Sequence, residues 1–111
     1  MKVSIIIPVR NEELLINKIV EQLENKLESL PYEIVFINDF STDSTANVLK
    51  RIIEPKAQFK IYDNKRKGLG GAITEGINKS SGEAICIMMS DLSDNIEDFK
   101  KYYQIIKEED V

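Results

Sequence analysis

The sequence predicts an α/β fold in which helices flank a parallel sheet, in the element order βαβαβαβα. Short apolar runs rich in β-branched residues alternate with amphipathic helical patterns along the chain. The runs begin roughly every 25 to 30 residues, which leaves room for one crossover helix between consecutive parallel strands. The runs are continuous rather than alternating, as expected for strands that are buried on both faces.

The first strand and the first helix are predicted within residues 2–30. Lys2–Ile7 is an isoleucine-rich run and predicts the strand. A set of apolar residues then recurs at three- and four-residue spacings, as on one face of a helix. The members of this set are Leu15, Ile16, Ile19, Val20, Leu23, Leu27 and Leu30. Pro31 follows the set and marks the end of the helix.

Two further strand–helix pairs follow. The strands are predicted at Tyr32–Ile37 and Phe59–Tyr62. The second helix is expected to begin near Ser41–Asp43, which offers N-cap side chains, and to run to about Ile53. The third helix is predicted over Leu69–Lys79. The residues expected to face the core are Val48, Leu49, Ile52 and Ile53 in the second helix, and Ala72, Ile73, Gly76 and Ile77 in the third.

The last strand and helix are predicted after residue 82. Glu83–Met89 reads as a buried strand. The fourth helix is expected to begin near Asp94, with Glu97 and Asp98 in its first turn, where the helix dipole favours acidic side chains. Its predicted apolar face consists of Ile96, Phe99, Tyr103 and Ile106.

Composition excludes several classes of function. The 111 residues predict one small domain, and the net charge of −4 (15 − 19) gives no reason to expect a nucleic-acid partner. Without histidine, zinc hydrolases and Ser-His-Asp catalysis are excluded. Cys86 is the only cysteine, and we expect it to be a buried, unreactive thiol. We find no secretory signal peptide and no membrane-spanning apolar run, so we expect a cytoplasmic protein.

Polar segments follow all four predicted strands. They are Pro8–Glu13, Asn38–Thr45, Asp63–Gly71 and Ser90–Asn95. Because ligands bind beyond the carboxyl ends of the strands in an open parallel sheet, functional residues are expected in these segments. Carboxylates gathered on one edge repel each other unless a divalent cation or a set of hydrogen-bond donors lies among them.

Each acidic residue in these segments also has a structural interpretation. Asp43 and Asp94 are expected to act as helix caps rather than ligands. Glu12 and Glu13 either favour the start of the first helix or bind a ligand, and the residues alone leave both readings open. Asp91 directly follows a strand, which favours a functional role. The glycine-rich "KRKGLGG" segment is either a turn or an approach to phosphate.

Two known α/β site types fit the sequence poorly. The dinucleotide motif G-x-G-x-x-G would follow the first strand, where Pro8–Glu13 contains no glycine. A receiver-type signalling domain has an acidic pair after its first strand and a phosphoacceptor Asp after its third. Glu12 and Glu13 match the pair, but Asn64 and Lys65 do not match the phosphoacceptor.

Three segments together resemble a known family. "VSIIIPVRNEE", "EIVFINDFSTDST" and "KGLGGAITEGINKSSGEAICIMMSDLSD" resemble the N-terminal half of family 2 glycosyltransferases. The likeness is strongest to the dolichol- and polyprenyl-phosphate glycosyltransferases, which include the dolichyl-phosphate mannosyltransferases. The resemblance implies a GT-A (Rossmann-like) fold, and residues 1–111 would be the nucleotide-sugar-binding half of an incomplete domain.

The resemblance also implies roles for individual residues. Those matched to nucleotide-sugar-binding positions are Pro8, Arg10, Glu12, Ile37, Asp39, Ser90 and Asp91. The family's Asp-x-Asp metal motif falls on Met89, Ser90 and Asp91, with Ser93 two residues on. Asp91 and Ser93 are therefore the expected ligands of Mg²⁺ or Mn²⁺, and Asp91 is the expected catalytic residue.

Four positions depart from the family pattern. Met89 replaces the first metal carboxylate, and a thioether is a poor ligand for Mg²⁺ or Mn²⁺. Arg10 replaces an aromatic residue, Asn38 replaces an acid, and Phe40 replaces a glycine. Asp91 is then left to hold the cation with Ser93, water and the diphosphate oxygens. Arg10 is expected to add positive charge at the same place.

The activity implied by the resemblance is sugar transfer with inversion at the anomeric carbon. The donor would be a nucleoside-diphosphate sugar, either GDP-mannose or a UDP-sugar. The acceptor would be a polyprenyl or dolichyl phosphate at the cytoplasmic face of a membrane. The alternative is an inactive nucleotide-sugar-binding module or a receiver-like regulatory module. Because transferases of this fold are usually longer, we expect the 111 residues alone to bind nucleotide weakly, to show little turnover and to self-associate.

Overall fold

Four parallel strands alternate with four helices. The computed structural model describes residues 2–28, 30–90 and 95–109, and it leaves out the side chains of residues 95, 102 and 106–109. The elements in chain order are β1 (Val3–Val9), α1 (Ile16–Leu27), β2 (Tyr32–Asn38), α2 (Thr45–Ile53), β3 (Phe59–Asp63), α3 (Leu69–Lys79), β4 (Ala84–Ile87) and α4 (Asn95–Glu109). The predicted α/β class and element order are confirmed.

The four strands form one sheet in the order β3-β2-β1-β4, and every neighbouring pair is parallel. All seven residues of β1 are buried, because this central strand is covered on both faces. One face packs against α1, α2 and α4, as shown by Ile5 and Ile7 in the larger core cluster. The other face carries Ile6, which packs with Ala72 of α3 in a second, smaller cluster.

The edge strand β4 is less buried than predicted. It covers Ala84–Ile87 rather than Glu83–Met89, and its Ile85 and Ile87 side chains are 46% and 44% exposed. The reason is its position, because α3 packs over β1 and β2 and leaves this face of β4 uncovered. Cys86, on the opposite face, is half-buried rather than fully buried, and burial raises the pKa of its thiol.

Two residues that were expected on the buried faces of helices, Leu15 and Ile77, are exposed. Leu15 directly precedes α1, which begins one residue later, and its side chain lies outside the buried stripe. The buried face of α3 consists of Ala72, Glu75 and Gly76. Ile77 lies about 100° around the helix from Gly76 and therefore points away from the sheet.

A buried carboxylate joins the amino ends of the strands. Glu33 of β2 is 1% exposed and accepts hydrogen bonds from Ser4 Oγ at 2.5 Å and from the Ser81 backbone N–H at 2.6 Å. Lys60 Nζ of β3 lies 2.9 Å from Glu33 Oε1. Ser4 Oγ also accepts the N–H of Gly82 at 2.7 Å. One carboxylate thus connects β1, β2, β3 and the loop that leads into β4.

These donors decide the ionisation of Glu33. Burial alone would raise its pKa, but hydrogen bonds from Ser4, Ser81 and Lys60 outweigh burial and lower the pKa from 4.5 to about 2. The folded protein therefore favours the ionised carboxylate. The resulting stabilisation is fully present above pH 4.5 and is lost as the pH falls through about 2.

We predict that Glu33→Gln removes this pH dependence. The difference in unfolding free energy between parent and variant should fall by about 3 kcal/mol as the pH drops from above 4.5 to about 2. Urea denaturation across this pH range measures it. Glu97→Gln is the matched control, because its pair with Lys26 is exposed and should contribute less than about 1 kcal/mol. Equal pH profiles for Glu33→Gln and the parent would contradict this account.

We predict opposite effects for two glycines of α3. A Cβ added at Gly76 would lie 2.4 Å from Ile6 Cγ2, so Gly76→Ala should lower the unfolding free energy by about 1–3 kcal/mol through overpacking. A Cβ added at Gly70 meets no atom within 4 Å, so Gly70→Ala should leave stability unchanged or raise it by up to about 1 kcal/mol. Thermal denaturation distinguishes the two, and similar losses for both would refute the close approach of α3 to β1.

Candidate functional site

The strand order brings the four polar segments into one row at the carboxyl edge of the sheet. Across the order β3-β2-β1-β4, these segments contribute Asn64, Asp39, Glu12 and Ser90 in turn. Hydrogen bonds connect each segment to the next. The predicted gathering of strand exits at one edge is therefore observed for the described residues.

The segments after β1 and β2 are tied together by Asn11. Its backbone has φ of +53°, a left-handed conformation that asparagine tolerates better than most residues. Its Oδ1 accepts the N–H of Thr42 at 2.8 Å, and its own N–H donates to Ser41 Oγ at 3.0 Å. The N–H of Glu12 donates to Thr45 Oγ1 at 2.8 Å. These bonds fix the backbone at Glu12 relative to α2.

Two acidic side chains in this region have structural partners. Asp43 Oδ1 accepts the N–H of Thr45, the first residue of α2, at 2.9 Å, so it lies in the cap region as predicted, but the N-cap residue itself is Ser44. The hydrogen bonds from Thr45 hold the pKa of Asp43 below its usual value. Glu13 Oε1 accepts the N–H of Ser44 at 3.4 Å. Both carboxylates therefore stabilise the segments that follow β1 and β2.

Glu12 instead reaches toward β4. Ser90 Oγ lies 3.1 Å from Glu12 Oε1, so the hydroxyl after β4 donates to the carboxylate after β1. The Glu12 carbonyl accepts the N–H of Ile16 at 2.8 Å and starts α1. An open depression of about 320 Å³ lies beside this pair. Its lining residues are Glu12, Leu15, Lys18, Ile19, Gln22 and Ser90.

Asp39 is held in place on one side only. It is 9% exposed, and its Oδ1 accepts hydrogen bonds from Asn64 Nδ2 and from the Gly68 N–H, both at 2.9 Å. Its Oδ2 has no donor among the described residues. No buried side-chain oxygen in the described part of the chain lacks a partner, so the described residues do not fully enclose Oδ2. This oxygen is oriented and available to accept a hydrogen bond from a ligand.

Asn64 and Gly68 were not predicted as site residues from the sequence. Asn64 is buried, and its Oδ1 accepts the N–H of Arg66 at 3.2 Å, while its Nδ2 donates to Asp39 and to the carbonyl of Arg66. Gly68 has φ of +113°, which an L side chain rarely adopts. An asparagine directly after a strand and shortly before a glycine is the sequence signal that points to such a turn.

The remaining predicted site residues are distributed differently. Pro8 is buried in β1, in register with Ile37 of β2. Ile37 is fully buried in the smaller core cluster, so it packs in the core and does not face a ligand at the carboxyl edge. Arg10 is exposed just beyond β1. Asp91 and Ser93 lie outside the described residues.

The described residues do not by themselves make a metal site. Within residues 2–28, 30–90 and 95–109, no three acidic, histidine or cysteine side chains lie close enough to share an ion. Met89 is exposed where the family pattern has a carboxylate, and its thioether does not suit Mg²⁺ or Mn²⁺. Among the described residues, the side-chain oxygen next in the chain is Ser90 Oγ, which already donates a hydrogen bond to Glu12.

Comparison with known proteins identifies relatives for nearly the whole chain. The family model described as glycosyl transferase family 2 matches residues 4–111. A dolichol-phosphate mannosyltransferase of Pyrococcus furiosus is 34% identical over 107 residues, which are 96% of this chain and 30% of that protein. The chain thus spans about a third of the length of this relative.

Solved structures show the same fold. Residues 1–349 of S. aureus TarS superpose with a TM-score of 0.75 at 28% identity, over 97% of this chain and 33% of that one. The same TarS piece in complex with UDP gives a TM-score of 0.69 at 26% identity, over 82% and 28% of the two chains.

A mannosyltransferase of Pyrobaculum calidifontis, solved with GDP-Man and Mn²⁺, gives a TM-score of 0.71 over 80% of this chain and 27% of that one. At 23% identity this likeness concerns the fold alone. The predicted GT-A fold is confirmed by these neighbours. Because the family model covers all but the first three residues, the chain belongs to the family 2 glycosyltransferases.

Proposed function

We propose that this chain binds the donor of a glycosyltransferase that moves a sugar from a nucleoside diphosphate to a polyprenyl or dolichyl phosphate. The observation that carries the proposal is Asp39, whose Oδ1 is fixed by Asn64 and Gly68 while Oδ2 stays available at the carboxyl edge. The TarS complex supports a nucleoside diphosphate as ligand. The name of the Pyrococcus furiosus relative supports a lipid-phosphate acceptor.

In the proposed complex, Asp39 Oδ2 accepts a hydrogen bond from the nucleoside of the donor, which is either GDP-mannose or a UDP-sugar. Arg10, exposed beyond β1, lies where its charge can face the diphosphate. Glu12 orients Ser90 toward the same edge, next in the chain to Asp91. Pro8 and Ile37 form the buried floor beneath these residues.

Asp91 is the proposed catalytic residue, with Ser93 as a second ligand for Mg²⁺ or Mn²⁺. When bound, the cation supplies positive charge that stabilises the departing diphosphate. The phosphate oxygen of the acceptor forms the new bond to the anomeric carbon as the bond to the diphosphate breaks, with inversion. A phosphate monoester is anionic at neutral pH, so the attack needs no strong base, which agrees with a sequence without histidine.

We further propose that the 111 residues bind the nucleotide but do not complete the reaction. The chain corresponds to about a third of its relatives' length, so the acceptor site is expected in the remainder of such proteins.

Among the described residues, no helix has the length and apolar character to cross a membrane. The proposed location is the cytoplasm, at a membrane surface where the lipid phosphate is presented, and self-association is part of the proposal.

A second candidate function is nucleotide-sugar binding without transfer. Met89 favours it, because the family's first metal carboxylate is replaced by a thioether at an exposed position. Met89→Asp tests the second candidate by placing a carboxylate at this position, and an unchanged Mn²⁺-dependent nucleotide affinity would count against it. A gain in Mn²⁺-dependent nucleotide affinity would show that the natural sequence has a weakened metal site.

We predict that Asp39→Asn weakens nucleotide binding at least tenfold, as measured by calorimetry with GDP-mannose and a UDP-sugar in the presence of Mn²⁺. The amide oxygen can still accept from Asn64 and Gly68, but the second atom becomes a donor, and a charged hydrogen bond to the ligand is lost. Asp63→Asn, an exposed carboxylate at the end of β3, is the control and should change affinity less than twofold. A folded parent that shows no heat with either donor at millimolar concentration would overturn the proposal.

We predict that Asn64→Asp disturbs both binding and stability. The new carboxylate would lie about 2.9 Å from Asp39 Oδ1, and two like charges at that distance repel. Nucleotide affinity should fall at least tenfold at pH 7.5, and Tm should fall as well. Because the repulsion raises the pKa of one carboxyl group, the loss of Tm relative to the parent should shrink toward pH 5. Asn78→Asp, on the exposed side of α3, should change neither quantity, and equal behaviour of the two variants would exclude a positioning role for Asn64.

A further inference from the structure

Phe40, the residue after Asp39, has an unusual backbone and an unusual exposure. Its φ is +58°, in the left-handed region that non-glycine residues rarely adopt, least of all bulky ones. Its side chain is 45% exposed. A large aromatic residue thus occupies a strained position without being placed in the core.

Phe40 lies outside the packed core of the described residues. It belongs to neither of the two core clusters. The ring–ring contacts among the described residues involve Tyr32, Phe36, Phe59, Phe99 and Tyr103, and Phe40 takes part in none of them. A glycine would relieve the backbone strain, and neither the core clusters nor the ring–ring contacts of the described residues give a reason for a ring at this position.

The neighbours of Phe40 hold it in this conformation. The N–H of Ser41 donates to Asn38 Oδ1 at 3.3 Å, which closes the turn around Phe40. Ser41 Oγ accepts the N–H of Asn11 at 3.0 Å, which ties the turn to the segment after β1. On the other side, the Asp39 N–H donates to the Val9 carbonyl at 2.8 Å. The ring is therefore presented from a backbone that is fixed at both ends.

The surface beside Phe40 combines one polar acceptor with exposed apolar groups. Asp39 bonds the N–H of Gly68, and the residues that follow these two, Phe40 and Leu69, are both exposed. Asp39, whose Oδ2 has no donor among the described residues, directly precedes Phe40. A flat ligand with N–H groups on its edge fits such a surface, because its face can lie against a ring while its edge donates to the carboxylate.

We propose that Phe40 is a stacking surface for the nucleobase of the donor, and that this contact accounts for an aromatic residue in a glycine-like conformation. The inference rests on the proposed nucleotide-binding function. It adds a residue that contacts the nucleobase of the donor rather than its diphosphate. Stacking depends on the area of the aromatic face, so a purine should gain more from Phe40 than a pyrimidine.

The test compares Phe40→Gly, Phe40→Leu and Phe40→Tyr with the parent, using GDP, UDP and inorganic pyrophosphate as probes in calorimetry. Phe40→Gly should raise Tm, because the strain is relieved, and yet weaken GDP binding roughly tenfold, with a smaller loss for UDP. Phe40→Leu keeps an apolar side chain but removes the ring, and it should lose affinity for GDP as well. Phe40→Tyr keeps the ring and should bind like the parent.

Pyrophosphate has no base, so its affinity should be the same in all four proteins. Ile105→Ala, another exposed apolar residue on α4, is the control and should leave all affinities unchanged.

The outcomes separate this inference from the proposed function. A parent that binds GDP or UDP together with a Phe40→Gly variant that binds them equally well would overturn the role of Phe40 alone. A fall in Tm for Phe40→Gly would show that the ring packs in the fold and would also overturn it. A folded parent that binds neither nucleotide would overturn the proposed function and this inference together.

Discussion

The parallel pairing of β1 with both β2 and β4 is the constraint on which the rest of the structure depends. It places the segments after these strands side by side, although they are separated by dozens of residues in the chain. Glu12 then meets Ser90, and Asn11 meets Thr42, because their strands end at the same edge. A parallel sheet with a different strand order would still gather the polar segments at one edge, but it would separate these partners.

The carboxylates of this protein fall into two groups according to their hydrogen bonds. Glu33, Glu13 and Asp43 accept bonds from backbone N–H groups and hydroxyls that belong to neighbouring elements, so they hold the fold together. Asp39 is nearly buried, at 9% exposure, and only its Oδ1 accepts hydrogen bonds from the described residues. At the amino ends of the strands, Glu33 stabilises the fold. At the carboxyl ends, Glu13 and Asp43 do the same, while Asp39 keeps one oxygen without a donor among the described residues.

Much of this arrangement could be predicted from the sequence. The apolar periodicity predicted every strand and helix, and the bounds of α3 agree because Gly68 and Ser80 limit it sharply. The exposure of Ile85 could not be predicted, since it depends on which elements cover β4 rather than on local pattern. Asn64 was missed for a similar reason. Its role comes from a contact with Asp39, 25 positions away, that no local motif records.

The uncovered side of β4 has a consequence for the chain in solution. In the described part of the protein, β4 pairs only with β1, so the backbone amides and carbonyls along its other side are open to a further strand. Ile85 and Ile87 lie beside this open ladder and add an apolar strip. Such an edge is a template for pairing with a further strand, so we expect fibril-like aggregation to start from this margin wherever it is left uncovered at high concentration.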